Sequence, residues 1–122
     1  LYNPSNVGFH FNPDSNTSSN ASVTVGSGAN VGFGNWFHVC ITTKKANAAY
    51  ETKIYINGTR RATSGLVPSG TFNGQINIGA QRNPSGQGPS NCHIGNFLLY
   101  NRYLSADEIL AIYNAHKSRF GL

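Results

Sequence analysis

Carboxylates are the scarcest chemical resource of this chain: Asp14, Glu51, Asp107 and Glu108 are its four acids in 122 residues. They are scattered except for the adjacent last pair, so chemistry that needs two converging acids has almost nothing to draw on. Methionine is absent, and the first residue is Leu1, which reads as a processed product or a piece of something longer. No apolar run approaches the length that spans a bilayer, so no membrane partner is expected. Charged residues make up only 11% of the chain, too few for a solvated helical bundle or a charged disordered tail.

Cysteine is nearly absent too. Cys40 and Cys92 have no metal-ligand spacing. They allow one disulfide between distant strands, provided their Cα atoms come within roughly 7 Å; two free, buried, inert thiols are the alternative. The net charge is +5. Its basic residues are dispersed, with only Lys44-Lys45 and Arg60-Arg61 adjacent, and no aromatic-basic RNA motif accompanies them. They read as solvated charges beside turns, and nucleic acid is not expected as a partner.

What the chain does have is glycine, asparagine, serine and threonine between short apolar runs, the composition of an all-β domain. Val7 to Asn12 and Ala21 to Gly26 alternate and could pair as a hairpin. Trp36 to Thr43 has large groups on both faces, with Phe37, Val39 and Ile41 on one and Trp36, His38, Cys40 and Thr42 on the other. That predicts a central strand covered on each side, with Trp36 in the core. Lys44 to Tyr50 reads as a turn. Thr52 to Ile56 follows with Ile54 and Ile56 inward and Lys53 and Tyr55 outward; Asn57-Gly58 is a tight hairpin signal, and Thr59 to Thr63 returns. Phe72 to Gly79 is a further strand, and Gln81 to Asn91 a long exposed loop.

Ile94 to Tyr100 is an apolar, aromatic run of strand length that leads into a helix from Ser105 to about His116. Ser105 and Glu108 form a capping-box pattern, with Leu104 and Ile109 placed as its hydrophobic staple. Ile109, Ile112, Tyr113 and His116 make one stripe. Many short strands with one late helix predict a single all-β domain over residues 1–122, an antiparallel β-sandwich with one short C-terminal helix.

Taken as a set and in this order, four motifs resemble those of the laminin-G-like, concanavalin-A-like jelly-roll superfamily. They are Trp36-Phe-His38-Val-Cys-Ile; Ile54-Tyr55-Ile56-Asn57-Gly58; Phe72-Asn-Gly74-Gln-Ile76-Asn-Ile78-Gly79; and Ile94 through Leu99-Tyr100-Asn101-Arg102-Tyr-Leu104-Ser105 to Ile109. The first is also similar to pentraxins. The closing Tyr113-Asn114 to Leu122 resembles laminin-G-like domains that end structural proteins of tailed bacteriophages. That resemblance implies a virion or extracellular location and a non-enzymatic role as capsid decoration, fibre, or neck or tail component. Its partners would be other virion chains or further copies of itself, with adhesion to glycans. A secreted carbohydrate-binding module of a larger adhesin or hydrolase is the alternative. Jelly rolls of this kind carry more strands than are found here, so N-terminal strands are expected to be missing or supplied elsewhere.

The residues then limit the chemistry. Hydrolases of the superfamily set paired acids along one strand, and no such constellation exists here; Asp107 and Glu108 are accounted for by the helix start. No catalytic residue is assigned. His38 and Cys40 share a strand face, but core packing explains them. Calcium, which some relatives bind, needs more carboxylate oxygens than the isolated Asp14 and Glu51 offer, so neither metal nor cofactor is expected. For a glycan, the candidate contacts are Tyr55 on an outward strand face and Arg82, Asn83 and Gln87 in the long loop.

Overall fold

The structure, a computed structural model, describes residues 7–11, 21–25, 35–46, 49–66 and 93–122. The expected strand Phe72 to Gly79 and the loop Gln81 to Asn91 lie outside the described residues. The described strands form two antiparallel sheets. Strands β1 (Val7–Phe11) and β2 (Ala21–Val25) make the first, paired from Val7 opposite Val25 to Phe11 opposite Ala21, as their alternation predicts. Strands β3 (Val39–Ala46), β4 (Ala49–Ile56) and β5 (Thr59–Leu66) make the second, in that order, and β2 lies against β5. Helix α1 (Ala106–His116) follows and continues as a 3₁₀ turn, Lys117–Phe120.

The β4–β5 hairpin forms where Asn57-Gly58 predicts it. Both residues have positive φ, 49° and 75°, the conformation in which a two-residue loop matches the twist of its strands. A register shift then follows: Ile54 faces Ala62 and Tyr55 faces Arg60, leaving Arg61 as the extra residue of a bulge.

The β3–β4 register places Cys40 opposite Tyr55 and Thr42 opposite Lys53 on one face. Ile41 opposite Ile54 and Thr43 opposite Thr52 share the other. Ile54 and Ile56 are fully buried, as their alternation predicts. Helix α1 covers the first face. Leu104 and Ile109 pack with Tyr55, and Cys40 and Ile112 border that cluster. The staple and the helical stripe therefore do what their spacing predicts.

Several expectations are corrected. Among the described strands the central one is β4, not Trp36 to Thr43; β3 has β4 as its one described neighbour, and Ile41 is exposed. The expected turn at 44–50 is largely strand, since β3 runs to Ala46 and β4 begins at Ala49. Lys44-Lys45 and Arg60-Arg61 accordingly sit on strands, although all four are exposed. Trp36 is not a core residue. Pairing begins at Val39 opposite Ile56, where the hairpin ends, so residues before Val39 have no β4 partner. Trp36 is 41% exposed and its ring rests on Phe120, centroids 5.0 Å apart. Ile94 to Tyr100 is not a strand of either sheet: no described strand runs beside it, and Gly95 instead abuts Phe120 and Trp36.

Candidate binding surface

Tyr55, read from the sequence as outward and ligand-facing, is 3% exposed beneath α1. Alternation correctly placed it opposite Ile54 and Ile56; the error was to leave that second face uncovered. Burial pushes its phenol pKa up. Arg82, Asn83 and Gln87 lie outside the described residues. Cys40 carries a free thiol, half-buried; Cys92 lies outside the described residues.

The described carboxylates are all engaged or at the helix start. Glu51 pairs with Lys53 at 3.2 Å, and Lys53 also donates to the Tyr103 hydroxyl at 3.1 Å. That hydrogen bond, and then Glu51, raise the Lys53 pKa. Glu108 pairs with Arg102 at 2.8 Å and accepts from the Ser105 backbone N–H at 2.8 Å, while the Ser105 hydroxyl accepts from the Glu108 N–H at 3.2 Å. Arg102 first, then the Ser105 N–H, hold the Glu108 carboxyl down at about 2. Asp107 occupies the first turn of α1, where the helix dipole favours an anion.

His38 and Cys40 do share the helix-covered face. Burial pushes the thiol up, which opposes the thiolate a nucleophile requires. Burial and then His116 lower the His38 pKa, and His38 Nδ1 is buried with no hydrogen-bond partner. Among the described residues, no three His, Cys, Asp or Glu side chains gather as a metal site would require. No described helix is long and apolar enough to cross a membrane.

What the described surface does present is apolar. Ile94, Phe97, Leu98, Leu99 and Tyr100 are all exposed, Leu99 at 69%, with Leu110 and Trp36 also exposed. Five large apolar side chains within seven consecutive residues differ from singly exposed ones, which need no explanation. The sequence marks this run by its hydrophobicity, and reading it as a paired strand hid its exposure. The Lys53–Tyr103 link joins residues fifty positions apart and left no local signal.

Antiparallel strands closed by one capped helix make a β-class module, in which each described acid is paired with a cation or sits at a helix start. A family model described as the concanavalin A-like lectin/glucanases superfamily, laminin G type, matches residues 1–110, and the chain belongs to that family. Its fold class is therefore the antiparallel β-sandwich with a short C-terminal helix. No curated protein and no solved structure matches the chain.

Proposed function

We propose that this domain acts by association and not by catalysis, as a structural or accessory component of a virion: a capsid decoration, a fibre, or a neck or tail part. The observation that carries the associative reading is the exposed apolar run from Ile94 to Tyr100. Apolar surface of this kind is stabilised when a neighbour removes it from water, at roughly 25 cal/mol per Å² covered. The commitment of Glu51 and Glu108 to Lys53 and Arg102 supports the same reading, because neither is held as a protonated acid beside a free base. The virion setting rests on the resemblance of the C-terminal segment.

Sedimentation tests the associative core of the proposal. The chain should associate as concentration rises, and Leu98→Ser with Leu99→Ser should weaken that association while leaving the fold intact. A well-folded monomer at high concentration would overturn it. Mass spectrometry of intact particles tests the setting, by the presence of the full-length chain.

A second reading is favoured by the superfamily, whose description joins lectins to glucanases. In it the domain is the carbohydrate-binding module of a larger secreted protein. Tyr55 is too buried to take part, which leaves Arg82, Asn83 and Gln87 as the proposed contacts. A glycan array run with Arg82→Ala and Gln87→Ala distinguishes the readings: sugar binding that these changes abolish supports the module.

A further inference from the structure

The end of β3, the hairpin turn and the last turns of α1 meet at His38. Its backbone is fixed from both sides: the His38 N–H donates to Asn57 Oδ1 at 2.8 Å, and the Asn57 N–H donates to the His38 carbonyl at 2.9 Å. Its ring leans on Tyr113 of α1, centroids 5.9 Å apart and planes tilted by 44°. Tyr113 in turn rests on the turn, where a Cβ built on Gly58 would lie 3.1 Å from Tyr113 Cδ1 and 2.9 Å from Leu110 Cδ1. The His38 ring and the Gly58 backbone together seat this half of the helix.

We propose that the His38–Tyr113 contact is an acid-released clasp, which holds the C-terminal half of α1 on the β4–β5 hairpin near neutral pH and lets it go in mild acid.

Among the described residues, none supplies a counter-charge for a protonated His38. From α1 it faces the Tyr113 ring, the His116 charge also acts on it, and the Lys117 ammonium lies 5.7 Å from the Tyr113 ring centroid. From the turn it meets the neutral Asn57 amide. On its own strand the next residue of the same face is the Cys40 thiol, and beyond it the charges acting on Tyr55 are the cations Lys53 and Arg60. The described carboxylates are elsewhere: Glu51 on Lys53, Glu108 on Arg102, and Asp107 at the opposite end of the helix.

A neutral imidazole carries one N–H, and its protonated form carries two. The proton gained in acid therefore makes both ring nitrogens donors, and buried Nδ1 has no acceptor to receive one. Turning the ring into water relieves both the charge and the orphan donor, and withdraws support from Tyr113. The strand end stays in place because its hold is through backbone atoms and Asn57. The sign follows from linkage. His38 is held below its ordinary value in the folded state, so the docked state is fully favoured above about pH 6.5 and loses ground as pH falls below it.

Hydrogen exchange of the 122-residue chain between about pH 7.5 and pH 5, corrected for intrinsic exchange, tests the clasp. Protection of the Ile112 to His116 amides should fall about tenfold for each unit by which His38 is depressed, with the β3–β4 amides unchanged as internal reference. His38→Phe, which keeps a ring against Tyr113, should make α1 protection independent of pH. A fall that persists in His38→Phe would assign the effect to other groups and overturn the proposal. Should that variant fail to fold, an NMR titration of the wild-type histidines decides: His38 titrating at or above the ordinary histidine value overturns it, and a lower value that tracks the loss of α1 protection supports it.

Discussion

His38 and Asn57 grip each other reciprocally across nineteen residues, the backbone of one meeting the side chain and backbone of the other. Asn57 does two separable things here: it adopts a positive φ of 49°, and it offers Oδ1 to the His38 N–H. Asn57→Gly keeps the backbone freedom and loses the acceptor, at about 1 kcal/mol. Asn57→Ala loses both, and should cost about 2–3 kcal/mol. Asn57→Asp keeps both and should stay near wild type. Denaturant unfolding checks the ordering; an Ala variant as stable as the Gly variant would show that the left-handed backbone carries no strain.

The capping box makes a prediction about acid of its own. Ser105→Ala removes the acceptor of the Glu108 N–H and should lower stability by about 1 kcal/mol. Glu108, held down at about 2 by Arg102 and by the Ser105 N–H, is depressed in the folded state. Its stabilising effect is therefore present above the ordinary carboxyl value of 4.5 and disappears as pH falls toward about 2. The gap in melting temperature between wild type and Glu108→Gln should be open at neutral pH and close over that range. A gap independent of pH would contradict the capping and Arg102 contacts.

How much of this could be read from sequence depends on how local the cause is. The capping box, the staple and the Asn57-Gly58 turn were legible because each is written in adjacent residues and acts through the nearest backbone atoms. The inward placement of Ile54 and Ile56 was legible for the same reason, from a period of two. Whether the opposite face is covered is not a local property. Tyr55 was read as exposed because nothing near it announces that α1, fifty residues later, lies across it. Trp36 failed in the other direction: its residue type suggests a core, but the register that starts at Val39 leaves it beyond the sheet. The apolar, aromatic run of Ile94 to Tyr100 describes a segment fit for pairing, and pairing requires a neighbour that the described strands do not provide. Of the glycan candidates, only Tyr55 lies among the described residues, and it is buried.

Gly58 is required twice over. Its φ of 75° lies where side chains are strained, and a Cβ would come within 2.9 Å of Leu110 Cδ1. Gly58→Ala should destabilise by about 1–3 kcal/mol. The Gly58→Ala, Leu110→Ala double variant should recover the part owed to the Leu110 contact and retain the part owed to backbone conformation. Full additivity of the two changes would mean that the helix does not press on the turn.

Ile109 and Leu110 are neighbours in sequence and opposites in packing, which gives the sharpest check on how α1 is seated. Ile109 is fully buried in the cluster with Tyr55 and Leu104, whereas Leu110 is 45% exposed. Truncating Ile109 to Ala removes buried methyl and methylene groups and leaves a void between helix and sheet, at about 2–5 kcal/mol. Leu110→Ala gives up only partial contact with the turn and should cost well under that. Chemical denaturation of the two variants reads the difference directly. Equal losses would mean that α1 is rotated about its axis from the placement described, and the burial of Tyr55 would have to be explained by something other than this helix.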